Sequence, residues 1–159
     1  MTTPLPPPDL ASRELEFLVL PAGAVAERFY ANAFAPLHFD RGPHGRMNAP
    51  DGAYGVLYAA ADLRGAFAET FLRAPGRTLL PLDLVRRKSR VRLRVQRALR
   101  LVRFAGAGLA RHDDDAVCYA IFDHAEPAIA VDAQELDLDK DWFWALAEAY
   151  GVGLAPPGP

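Results

Sequence analysis

Between Arg86 and Arg103 the chain carries nine basic residues and no acidic one, and within that run Val91, Leu93 and Val95 alternate with Arg90, Arg92 and Arg94. A period of two is the period of a strand, whose successive side chains point to opposite faces. The run therefore predicts a half-buried strand with apolar residues inward and the arginines as its wet face. A basic stripe also fits nucleic acid or an acidic protein surface. No helix-turn-helix, zinc-finger or RNA-binding signature accompanies this one, so direct nucleic-acid binding is not expected, and an acidic protein partner remains open.

The rest of the chain bounds the answer further. At 159 residues, 51% hydrophobic and 24% charged, it fits one compact, folded domain. A lone cysteine, Cys118, in the apolar run Val117 to Phe122 excludes a disulfide framework and reads as packing, not as a nucleophile. No run of about 18 apolar residues predicts a membrane span, and no basic and apolar leader pattern is present, so a cytoplasmic protein is expected. His38, His44, His112 and His124 show no metal-site spacing, and no metal is expected. Neither a Gly-x-Gly-x-x-Gly loop nor a Gly-Lys-Ser/Thr phosphate loop occurs.

Residues 1–13, with Pro4 and Pro6-Pro7-Pro8, read as a flexible arm, 14–155 as the domain and 156–159 as a tail. Strands are predicted at Glu16 to Leu20 and Val56 to Ala60, with a strand or turn at Val25 to Phe29. Gly/Pro/His-rich irregular chain then runs to Asp51. Asp62 is placed to cap a helix in which Leu63, Ala66, Phe67, Thr70 and Phe71 share a face, with Glu69 on its flank. Leu79 to Val85, the alternating run, Leu99 to Phe104 and Val117 to Phe122 read as strands, and Ala128 to Val131 as a partner of the last. Asp141 opens a final helix through Trp142, Phe143, Leu146 and Tyr150, closed by Gly151. The total is mixed α+β with more strand than helix.

The chemistry concentrates between His38 and Arg73. Arg46 stands in the loop Gly45-Arg46-Met47-Asn48, Tyr58 in the strand-like Val56-Leu57-Tyr58, and Glu69 in Ala66-Phe67-Ala68-Glu69-Thr70-Phe71. A cation, an aromatic plane and a carboxylate suit a ligand with phosphates, a flat cationic ring and a sugar carbon prone to positive character.

Order and spacing resemble the RES domain family, as do Pro21-Ala22-Gly23 with Glu27-Arg28-Phe29, Leu99 to Val102, Cys118 to Asp123 and Tyr150 to Leu154. The resemblance implies an ADP-ribosyltransferase-like fold of mixed or antiparallel sheets with few helices. It also implies an NAD-consuming toxin with a cognate antitoxin, and a homodimer is left open. NAD is then substrate, not cofactor, and inorganic phosphate or water the acceptor. Glu69 would bond the nicotinamide-side ribose and stabilise its oxocarbenium character. Arg46 and Arg28 would bind the diphosphate, and Gly45 would let backbone approach it. Tyr58 would either stack on nicotinamide or pack as a core tyrosine, and Asn48 and Tyr54 would line the cleft.

The third signature residue of the family is a serine shortly before the late apolar strand. Only Ser12 and Ser89 occur here, and the domain reads as shortened between about 110 and 117. A non-catalytic nucleotide- or partner-binding module is therefore one rival to the NAD-degrading enzyme, and ADP-ribosyl transfer to a protein is the other.

Overall fold

In the computed structural model of the chain the described residues are 8, 12, 17–45, 47–73, 76–102 and 117–156. The predicted arm, most of the predicted tail, the serine-equivalent segment and Arg46 lie outside them.

Among the described residues nine strands and three α-helices follow in the order β1 (Phe17–Leu20), β2 (Val25–Ala31), β3 (Val56–Ala60), α1 (Leu63–Phe71), β4 (Leu79–Leu80), α2 (Leu82–Arg86), β5 (Lys88–Val95), β6 (Leu99–Val102), β7 (Cys118–Phe122), β8 (Ile129–Glu135), α3 (Asp141–Ala149) and β9 (Gly153–Leu154). A five-stranded sheet in the order β7-β3-β2-β5-β8 is antiparallel throughout. The ribbon β1-β6 is antiparallel and β4-β9 parallel. The class is α+β with few helices.

Strand alternation builds two cores. Ala26, Tyr30, Leu57, Val91, Leu93 and Ile121 turn to one face and pack against Leu20, Leu99 and Leu101 of the ribbon. Phe29, Ala60 and Cys118 turn to the other, where α1 and α3 cover them with Phe67, Phe71 and Phe143. Edge-on contacts join Phe71 to Phe29 and to Phe143, each at 5.2 Å between ring centres, a geometry that adds stabilisation beyond area burial. The alternating run is β5, with Ser89, Val91, Leu93 and Val95 buried.

Three expectations change. Leu79 to Val85 is not one strand: β4 ends at Leu80, and Pro81, which has no N–H to extend a ladder, stands in extended conformation as the N-cap of α2. Ala128 to Val131 belongs to β8, which pairs with β5 and not with β7. A 3₁₀ turn, Asp123–Ala128, carries the chain between these opposite edges. Six residues at about 2 Å each reach about 12 Å, whereas four strand spacings of about 4.8 Å need about 19 Å, so the sheet must curl.

The third change concerns the arginines of β5, which are ion-paired and not simply wet. Arg90 is 19% exposed and donates to Glu27 through Nε and Nη2, both at 3.1 Å; Arg92 Nε donates to the same carboxylate at 2.9 Å. Arg94 meets Asp132 at 2.9 Å. The register sets these pairs, since Glu27 stands opposite Arg92 and Phe29 opposite Arg90.

Candidate functional site

Strand β2 pairs with β5 along its whole length but with β3 at one position only, Glu27↔Ala60. Beyond that pair the two strands part. Chain from the 32–51 segment closes the far end, where Asp40 bridges Val56 with two backbone hydrogen bonds of 2.9 Å. Between these closures lies a cavity of about 360 Å³, within the size range of small-molecule sites. Arg28 and Phe29 line it from β2, Tyr58 and Ala59 from β3, and Ala66, Glu69 and Thr70 from α1.

Helix α1 is positioned by local rules. The Asp62 carboxylate accepts from Gly65 N–H at 2.8 Å and satisfies a first-turn donor. Gly65, Ala66, Phe67, Ala68 and Phe71 are buried, which leaves half-buried Glu69 at the cleft edge of the helix.

Tyr58 does two things. Its ring lines the cavity, while its hydroxyl accepts from Met47 N–H at 2.7 Å and donates to Asn48 Oδ1 at 2.9 Å. Asn48, itself buried, passes the link on: its Nδ2 donates to Asp40 Oδ2 at 2.8 Å and to Gly42 O at 2.7 Å. Asp40 Oδ1 in turn accepts from Gly42 N–H at 3.0 Å. That backbone bond, aided by the Asn48 amide, holds the Asp40 carboxyl below its ordinary value.

Gly45 is required here by crowding. A Cβ at this position would stand 2.1 Å from Asn48 Oδ1 and 2.9 Å from Tyr58 Oη. The glycine makes room for the protein's own amide and hydroxyl. Both neighbours of Arg46 are thus tied to Tyr58 or Asn48, Met47 by its N–H and Gly45 through its carbonyl, which accepts from Asn48 N–H at 3.1 Å.

The remaining predicted residues divide. Arg28 lines the cavity, and its Nη1 donates to His38 O at 3.2 Å and Pro36 O at 3.4 Å, pinning the segment that leads to Asp40. Burial pushes its guanidinium down to about 10, still protonated at neutral pH. Asn48 braces the wall through Tyr58. Tyr54 is not among the lining residues; its hydroxyl donates to Met47 O at 3.1 Å and its ring meets Phe122 edge-on at 5.2 Å, so it props the loop from outside.

Several lining residues had no site role in the sequence reading, and four of them matter chemically. Glu27 sits 5% exposed at the root of the cleft, Lys88 and Arg73 add cations, and Cys118 contributes from the neighbouring strand. Glu27 carried a signal, an acidic residue in a strand beside Arg28 with a basic strand to pair against. Lys88 carried none until the register set it opposite Ala31.

The model of the RES domain matches residues 21–120, more than half of the chain. The chain belongs to the RES domain family. No curated protein and no solved structure matches it. The matched segment contains β2, β3, α1 and β5, and hence every lining residue of the cleft. Strand β8 and α3 follow it, and from them Glu135 lies 3.7 Å from Arg90 and the Trp142 ring lies under its guanidinium at 5.1 Å. The RES cleft therefore sits inside a sheet whose charged neighbour strand is braced by the residues that follow.

This RES domain holds cations, the carboxylates of Glu27, Asp40 and Glu69 and the aromatic residue Tyr58 around one opening. Such a set binds phosphates, faces a flat ring and meets developing positive charge.

Proposed function

We propose that this RES domain cleaves the bond between nicotinamide and ribose in NAD. The support is the convergence of Arg28, Tyr58 and Glu69 on a single cleft, from three elements separated in sequence. Guanidinium groups bind the diphosphate by charge-assisted hydrogen bonds. The Tyr58 ring offers its electron-rich face to the cationic nicotinamide ring, with its hydroxyl already committed to the loop. Glu69 brings its carboxylate to the ribose.

As the C1–N bond breaks, its electron pair leaves with nicotinamide and positive character grows on the sugar. A fixed carboxylate stabilises that charge more than it stabilises the ground state. Oxygen of hydrogen phosphate or of water then forms the new bond at C1. Phosphate yields ADP-ribose 1-phosphate; water yields ADP-ribose and releases a proton. Loss of NAD in the producing cell makes this the activity of a toxin, held in check by a cognate antitoxin.

The family serine has no counterpart at its expected place in the sequence, Ser12 and Ser89 being the only serines. That observation favours a second reading, a binding module that holds the dinucleotide without turnover. Glu69→Gln separates the two. On the enzyme reading it keeps NAD binding and loses nicotinamide release by roughly 100-fold or more; on the module reading the parent binds NAD and releases nothing.

A further inference from the structure

Strand β5 carries four cations inside its bounds, and three of them face carboxylates. Arg90 and Arg92 share Glu27, and Arg94 takes Asp132. Lys88 is the exception: among the described residues it has no ion-pair or hydrogen-bond partner, although it is half-buried and lines the cleft. The carboxylates on the flanking strands are already occupied, Glu27 by Arg90 and Arg92 and Glu135 by Arg90 and Lys140.

The backbone that carries Lys88 is fixed. Asn32 N–H donates to Arg87 O at 2.9 Å, its Nδ2 donates to Arg86 O at 2.6 Å, and the buried Ser89 hydroxyl contacts Asn32 Oδ1. The ammonium is thus held on a rigid strand start, close enough to Arg28 and Arg87 for both guanidinium charges, after burial, to push its pKa down. Asp40 lines the same cleft and its charge offsets that of Arg28; the Lys88 ammonium, half-buried beside like charges, is stabilised by an anion that joins it.

We infer that Lys88, beside Arg28, forms a subsite for a phosphate group in the cleft. The inference deepens the reading of the cleft as the NAD site and assigns Lys88 a binding role there. Two sources supply the same chemistry, the diphosphate of the dinucleotide and inorganic phosphate as acceptor. With inorganic phosphate at this subsite, its oxygen forms the bond to C1 while the C1–N pair leaves with nicotinamide, and the product is the 1-phosphate ester.

The test uses binding, so it needs no turnover. The full chain and its Lys88→Met and Lys88→Arg variants are titrated with inorganic phosphate, against chloride at equal ionic strength, and separately with ADP-ribose, by calorimetry and thermal shift. Lys88→Met is expected to weaken one ligand by roughly tenfold or more, as for loss of a charge-assisted bond, and Lys88→Arg to recover most of it. Weakened inorganic phosphate with unchanged ADP-ribose assigns the acceptor; weakened ADP-ribose with unchanged phosphate assigns the diphosphate. If Lys88→Met binds both as the parent does, or if the parent binds neither, the subsite is overturned. A parent that binds phosphate through Lys88 yet releases no nicotinamide counts against NAD cleavage and leaves the subsite standing.

Discussion

The Tyr58 hydroxyl donates to Asn48 Oδ1 at 2.9 Å, and this one bond ties a strand of the central sheet to the loop that contains Arg46. The same hydroxyl accepts from Met47 N–H, and Asn48 hands the connection to Asp40 and Gly42. A residue at the strand edge of the cleft thereby sets the shape of the cleft wall between Asp40 and Asn48, whose described residues form little regular structure.

Tyr58→Phe keeps the ring and removes both bonds, leaving the Met47 N–H and the Asn48 carbonyl without this partner. Stability should fall by about 1–2 kcal/mol, with faster hydrogen exchange of residues 42–48. NAD affinity should weaken although the ring is kept, and Tyr58→Leu, which loses the ring as well, should weaken it further, a difference that calorimetry on the two variants will read.

Gly45→Ala places a methyl where Asn48 Oδ1 now stands. The loop must move or the Tyr58–Asn48 bond must break, so function should suffer more than the fold. The expected outcome is a loss of about 1–3 kcal/mol in stability together with a larger proportional loss of NAD binding. Gly42→Ala, whose Cβ would stand 3.2 Å from the Asp40 carboxylate, should be milder.

Glu27→Gln removes the charge that Arg90 and Arg92 share at the one β2–β3 pair. Breaking a buried pair from one side leaves the largely buried Arg90 with only its longer contact to Glu135 at 3.7 Å and should cost up to roughly 3 kcal/mol. Chemical denaturation will measure it. Arg94→Gln, whose ion pair with Asp132 is exposed, should cost about 0–1 kcal/mol.

Asp40 sets a pH response. Its folded pKa lies below the ordinary value of 3.8, because Gly42 N–H and the Asn48 amide bond the ionised form. Its contribution is therefore complete above the unfolded value and is lost as pH falls through the lower folded one. Thermal melts between pH 7 and pH 3 should show an acid decline below about pH 4 that is shallower in Asp40→Asn.

How far the chain disclosed itself follows from where the information lies. Val56 to Ala60 was legible to the residue because a continuous apolar run bounded by Gly55 and Asp62 suits a strand buried on both faces. Helix α1 was legible from its cap and its phenylalanine spacing. Pairing was not: nothing in Ile129 to Glu135 names β5 as its neighbour, and only that neighbour explains where Arg90 and Arg94 find Glu135 and Asp132. Of the candidate site, Arg28, Tyr58 and Glu69 could be singled out by residue type and family pattern. Lys88 and Glu27 could not, since their place at the cleft depends on cross-strand register and on β2 and β3 separating after one pair.

The central claim is that the cleft between β2 and β3 breaks NAD at the nicotinamide ribose with Glu69 as the stabilising carboxylate. The most direct test is chromatographic measurement of nicotinamide released from NAD by the purified protein, with and without phosphate, beside Glu69→Gln. The account predicts steady release by the parent and loss of roughly 100-fold or more in the variant, with NAD affinity kept. Absence of release from a parent that binds NAD, or equal release by the variant, would contradict it.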